Sequence, residues 1–323
     1  MGGDCCGKFH VAHCAPERDE SMNICVKTQG LTKQYPRETA VKEVCLNVPE
    51  GVVYGFLGPN GAGKTTTLKM LLGLVHPTEG EIYLFNKPMD QRNRLELLGQ
   101  VGSLIESPSY YGHLTARENL EIVRTLRKLP GQAVSQALDM VRLSNTGNKP
   151  AAQFSLGMKQ RLGIAAALMG RPKLLLLDEP TNGLDPAGIQ EMRELIRSLP
   201  AQYGMTVVVS SHLLSEVDQL AGYVGVIRKG DLVFEDTLAA LHERGARQLA
   251  LRTTDNARAK ALFPSAELEA ETGYLLFPGL SDGFAANISL TLAKDGVGVV
   301  RLEERNKSLE DIFLDMTGKE GAL

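Results

Sequence analysis

The stretch Gly58-Pro59-Asn60-Gly61-Ala62-Gly63-Lys64-Thr65-Thr66 constrains the fold more than any other part of the chain. It fits G-x-x-x-x-G-K-[ST], the pattern of a phosphate-binding loop. The apolar run Val52 to Leu57 before it predicts a buried strand, and Thr65 to Leu74 after it predicts a helix. A strand, a glycine-rich turn and a helix N-terminus are the context such a loop needs. Gly58, Gly61 and Gly63 let backbone N–H groups approach phosphates, and the helix dipole favours negative charge there. Lys64 is expected to reach the β and γ phosphates, and the Thr65 hydroxyl to bind Mg²⁺. A chance glycine-rich turn would look the same locally, so the later motifs have to decide.

With 323 residues the chain is long enough for two domains and a sizeable core. A net charge of −3 gives no electrostatic reason to expect nucleic acid. No apolar run approaches the roughly 18 residues that span a bilayer, so any work at a membrane is expected to go through a partner. The five cysteines all lie at or before Cys45, which argues against a disulfide framework and fits a reducing cytosol. Residues 1–21 are polar and lack the apolar core of a secretory signal. Cys5, Cys6, His10, His13 and Cys14 crowd together there, but no spacing matches a zinc pattern. Met1-Gly2 suggests acylation, yet Cys6 stands where Ser or Thr is needed. The expectation is a disordered extension, with the folded part beginning at Met22.

Further along, Ile24 to Gln29 and Ala40 to Val48 read as strands, with Tyr35 between them. A ring there is able to stack on an adenine or to be a plain surface aromatic in a turn. Gly80 to Phe85 is a short strand, and residues 89–100 and 116–142 carry apolar residues at helical spacing. Ser155 is placed to N-cap a helix running to Met169, and Gly157 allows close backbone approach. Lys173 to Leu177 is a buried strand that ends in Asp178-Glu179. Acids at the C-terminal end of a parallel strand sit where open α/β sheets hold ligands. The strand Thr206 to Ser211 delivers His212 to the same edge. Beyond about residue 238, short strands and helices alternate in a small α+β unit with no catalytic constellation.

Together these motifs resemble the nucleotide-binding subunit of ATP-binding cassette (ABC) transporters over residues 24–235, in that family's order and spacing. Gly58 to Thr66 looks like Walker A and Leu174 to Glu179 like Walker B. Ser155 to Gln160 looks like the signature motif, with Leu156 and Met158 where Gly and Gln are usual. Gly183-Leu184-Asp185 looks like the D-loop, His212 like the switch histidine, and Tyr35 like the adenine-stacking position. Glu106 falls where a Q-loop glutamine is usual, which is similar to the E-loop of lantibiotic-immunity ATPases. Ile105 to Tyr111 also resembles bacitracin-resistance ATPases, and Ser308 to Leu314 the C-terminal helix of that export group.

The resemblance implies an α/β P-loop NTPase with a RecA-like core sheet and a helical subdomain at about 88–170. That nucleotide-binding domain would span 22–238, followed by the small α+β domain 239–323. It implies ATP and Mg²⁺ as cofactors and two copies closing head to tail on two ATPs. ATP would meet Tyr35, Gly58, Asn60, Gly61, Gly63, Lys64, Thr65 and Thr66 of one copy. Ser155, Gly157 and Asp185 would come from the other. Thr65, Asp178 and Glu106 are the expected metal-side groups, and Glu179, His212, Lys64 and Glu106 the catalytic ones. Glu179 would orient the attacking water and His212 the γ-phosphate. A separate transmembrane permease is the expected partner, touched by residues 101–115, and no nucleic acid is expected. The expected place is the cytoplasmic face of the plasma membrane. The reading is a bacterial exporter subunit for an antimicrobial peptide or similar amphiphile. The alternatives are a soluble non-transport ABC ATPase or an importer subunit.

Overall fold

The computed structural model describes residues 23–243, 247–269, 272–278, 282–306, 312, 313 and 316. The expected extension 1–21, with its Cys and His residues, lies outside them, as does most of the helix expected over Ser308 to Met316. The chain divides into two compact units. The first runs to Leu238 and takes in Met316, and the second covers 239–315.

The first unit is built on a six-stranded sheet. Its order is Asp231–Thr237, Tyr223–Arg228, Val53–Leu57, Thr206–Ser211, Leu174–Asp178, Val101–Leu104. All neighbours are parallel except the first pair, a hairpin through Lys229 and Gly230. Val53–Leu57, Leu174–Asp178 and Thr206–Ser211 are buried at every residue. That is the pattern of parallel strands covered on both faces. The parallel register carries Leu57, Asp178 and Ser211 to one edge, and the loops that follow them meet there. A second, antiparallel sheet runs Glu38–Val44, Ile24–Tyr35, Glu79–Leu84, Lys87–Pro88, with Asn47–Pro49 against the Ile24 strand. Its inner face packs Val26, Leu31, Val41 and Ile82 into one core with Phe56, Leu68 and Leu176.

Three sequence expectations change. The region 116–142 is two helices, Ala116–Leu126 and Gln132–Met140. Pro130 lacks an N–H and disfavours helical backbone at the residue before it, and Lys128 turns left-handed at φ 53°. The helix expected over 89–100 shrinks to Arg94–Leu98, because Asp90 accepts the Arg92 and Asn93 N–H groups in a turn. Tyr35 ends the strand Ile24–Tyr35, opposite Glu38, and is not in a free turn.

The helix Leu156–Leu168 lies against the segment after Val101–Leu104 with no room between them. A Cβ added at Gly163 would fall 2.7 Å from Pro108 Cβ and 3.0 Å from Leu104 Cδ1. The second unit is a four-stranded antiparallel sheet in the order Glu267–Leu268, Leu275–Pro278, Arg247–Thr253, Val299–Asn306. Helices Asn256–Leu262 and Asp282–Lys294 supply Ala259, Ile288 and Leu292 to a core with Leu251, Leu275 and Phe277. Cys25 is a buried free thiol.

Candidate functional site

The turn between Leu57 and the helix Lys64–Leu71 is shaped by glycines that nothing larger replaces. A Cβ at Gly58 would meet the Ile227 carbonyl oxygen at 2.4 Å. At Gly63, φ is +110° and a Cβ would meet the Ala40 carbonyl oxygen at 2.5 Å. Asn60 and Gly61 form the exposed tip, and Thr65 and Thr66 are half-buried on the first helical turn. The loop curls around the Lys64 ammonium, which donates to the Gly58 carbonyl at 2.6 Å and the Pro59 carbonyl at 3.2 Å. Burial pushes the Lys64 ammonium below its ordinary pKa, with Glu179 and Asp178 pulling it back up.

The Leu174–Asp178 strand sets two carboxylates beside this loop. Thr65 Oγ1 donates to Asp178 Oδ2 at 2.8 Å, and Ser210 Oγ donates to Asp178 Oδ1 at 2.5 Å. Asp178 is 4 % exposed, so both oxygens are committed in a dry environment. Glu179 turns left-handed at φ 48°, which aims its side chain back over the loop. One of its oxygens lies 3.4 Å from Lys64 Nζ and the other 3.0 Å from His212 Nδ1. A hydroxyl and a carboxylate oxygen side by side make a hard oxygen pair that suits Mg²⁺. A cradle of glycine amides with a buried lysine suits polyphosphate.

His212 is held from behind. Ser211 Oγ donates to Glu216 Oε2 at 2.9 Å and accepts the Leu213 N–H at 3.0 Å. Thr181 Oγ1 donates to the same Glu216 oxygen at 2.8 Å. The 7 % exposed Glu216 thus joins the segment after Glu179 to the segment after His212.

Glu106 leaves the end of Val101–Leu104, the strand beside Leu174–Asp178, with Leu104 paired to Leu177. Its backbone is left-handed at φ 64°. Its carboxylate accepts from Lys69 Nζ at 2.6 Å. That contact raises the Lys69 pKa above its ordinary value. Tyr35 is 39 % exposed, with Lys33 Nζ 5.3 Å from its ring centre.

Lys64, Thr65, Asp178, Glu179 and His212 are therefore brought together. Ser155 and Asp185 are exposed and Gly157 is half-buried, and their two segments meet at Leu156 and Gly183. Ser155 Oγ caps its helix by accepting the Met158 N–H at 3.3 Å, and Asp185 accepts the Gly188 N–H at 3.0 Å. Leu156 is 48 % exposed, and its Cδ2 would lie 3.1 Å from a Cβ built at Gly183. Sequence reading missed Ser210, Glu216 and Lys69. Ser210 and Ser211, two hydroxyls ending the apolar run Val207 to Val209 just before His212, carried a usable signal.

Residues 41–182 match the family described as ABC transporter. Over 302 residues the chain is 41% identical to the bacitracin transport ATP-binding protein BcrA of Bacillus licheniformis, covering 92% of this chain and 98% of that protein. It is 47% identical over 210 residues to the lantibiotic transport ATP-binding protein SrtF of Streptococcus pyogenes, covering 65% of this chain and 90% of the relative. Among solved structures it is similar to the ATP-binding cassette MJ0796, a post-hydrolysis dimer bound to ADP and Pi. The TM-score there is 0.60 at 29% identity, covering 66% of this chain and 98% of that one.

Proposed function

The chain belongs to the ABC transporter family, and from that membership we propose that it is the ATP-hydrolysing subunit of a bacterial exporter of antimicrobial peptides of the bacitracin or lantibiotic kind. The observation that carries the reading is the Lys64, Thr65, Asp178, Glu179 and His212 cluster, in a chain that is similar over 92% of its length to a bacitracin transport ATP-binding protein. ATP hydrolysis follows from the family. Its coupling to peptide export is the part proposed.

Each residue has a role that its surroundings support. The loop glycines and Lys64 bind the phosphates, and Tyr35 offers its ring to the adenine. Thr65 and Asp178 would hold Mg²⁺, which when bound offsets phosphate charge. Glu179 orients the attacking water and His212 steadies charge that develops on the γ-phosphate. Ser155, Gly157 and Asp185 are assigned to the second copy's nucleotide in a head-to-tail dimer.

Among the described residues no helix is long and apolar enough to cross a membrane. A permease is therefore the proposed partner, and the cytoplasmic membrane face the proposed place. Tyr111, 56 % exposed within residues 101–115, is offered to that partner. The test is to delete the gene and challenge cells with bacitracin and with a lantibiotic, then to identify the permease that co-purifies from membranes. Unchanged resistance to both classes and no permease would overturn the export reading while leaving the ATPase intact.

A further inference from the structure

A carboxylate at position 106 raises an electrostatic problem. Leu104 pairs with Leu177 in parallel register, so Glu106 leaves the sheet next to the acidic pair Asp178-Glu179. Two acidic loops then face the place where polyphosphate is to bind. Like charges there disfavour ATP, and a neutral glutamine would not. Lys69 sits one helical turn beyond Thr65, a rise of about 6 Å, on the same side of the helix. Its ammonium meets Glu106 Oε1 at 2.6 Å. The left-handed backbone of Glu106 is a conformation that side chains adopt at a cost, and here it turns the carboxylate toward the helix.

We propose that Lys69 is a positioning residue that supplies the counter-charge of Glu106, masking this carboxylate from polyphosphate and competing with the divalent cation for it. The proposal rests on the reading of the phosphate loop as an ATP site. It explains how a carboxylate is tolerated where an amide would be electrostatically simpler. It also makes Lys69 and Glu106 one unit: the lysine matters because the glutamate is there.

The test is a double-mutant cycle with two readouts. ATP carrying a fluorescent ribose label is titrated in EDTA, at low salt, against wild type, Lys69→Met, Lys69→Arg, Glu106→Gln and the Lys69→Met/Glu106→Gln pair. Lys69→Met should weaken metal-free binding about fivefold, as expected for one unmasked charge near a binding site. Lys69→Arg should restore it. With Glu106→Gln already present, Lys69→Met should change binding less than twofold. The Mg²⁺ concentration for half-maximal hydrolysis should fall in Lys69→Met, because the carboxylate is released to the cation. Raising salt to about 1 M should shrink the binding difference through screening. An equal loss in both backgrounds would mean that Lys69 acts on phosphate directly, and no loss in either would mean that the pair is idle. Either result overturns the proposal. A wild-type protein that binds no labelled ATP would instead overturn the ATP-site reading.

Discussion

Glu179 Oε2 lies 3.0 Å from His212 Nδ1, and this contact joins two loops that leave neighbouring parallel strands. The other Glu179 oxygen faces Lys64. A carboxylate so engaged is fixed in direction, which is what orienting a water requires. Glu179→Gln keeps the shape and removes the charge. Hydrolysis should fall about 10²-fold or more while ATP binding persists. Size-exclusion chromatography with ATP should then show the dimer accumulating. A variant that turns over at the wild-type rate would remove Glu179 from the assigned role.

Asp185 offers a way to separate capping from contact with a second copy. It caps the 18-residue helix Pro186–Tyr203. Asp185→Ala should cost about 1 kcal/mol of stability, whereas Asn is as good a cap. Asp185→Asn should therefore melt like wild type yet weaken the ATP-dependent dimer. Normal dimerisation in Asp185→Asn would confine this residue to capping.

Glu216 accepts two hydroxyl hydrogen bonds in a buried setting. Glu216→Ala strands Thr181 and Ser211 and should destabilise the protein by about 1–3 kcal/mol in urea denaturation. Glu216→Gln keeps an accepting oxygen and should lose less. Equal losses would show that the charge, and not the acceptor, holds the two loops.

The Cys25 thiol is pushed up from 9.0 to about 11, chiefly by burial. Between those values the folded chain keeps a proton that the unfolded chain has released. This group's contribution to stability is therefore complete below pH 9.0 and is lost as pH rises toward about 11. The loss has a limit of about 1.4 kcal/mol per pH unit. Cys25→Ala should show a shallower fall in stability than wild type over that window.

Glu106→Gln should retain ATPase activity in the isolated subunit, since an amide both accepts and donates where the carboxylate only accepts. Peptide resistance in cells should drop more than hydrolysis does if this loop meets the permease as proposed. Glu106→Ala serves as the comparison. If both variants leave resistance untouched, Glu106 has no coupling role.

Much of the phosphate side was legible because it is local. Gly58 to Thr66 is one continuous pattern, and the runs Val53 to Leu57 and Leu174 to Leu177 have the unbroken apolarity of doubly covered strands. Asp178 and Glu179 could be placed because a strand's C-terminal end is a known position. The Lys69 to Glu106 pair was not legible. It spans 37 residues and depends on which strand Val101–Leu104 adjoins. Glu216 was hidden for the same reason, lying in a short helix with its partner Thr181 on another loop. The break at Pro130 was written in the sequence. Apolar spacing on both sides of it outweighed the missing N–H in a periodicity reading.

Gly163 gives the protein its mechanical tightness. With only hydrogen where a side chain would stand, the helix bearing Ser155 at its start rests directly on Pro108, two residues from Glu106. Interiors this dense transmit displacement without slack. The helix that carries the patch assigned to a second copy's nucleotide and the loop assigned to the membrane partner thus share one packed contact, with no side chain between Gly163 and Pro108.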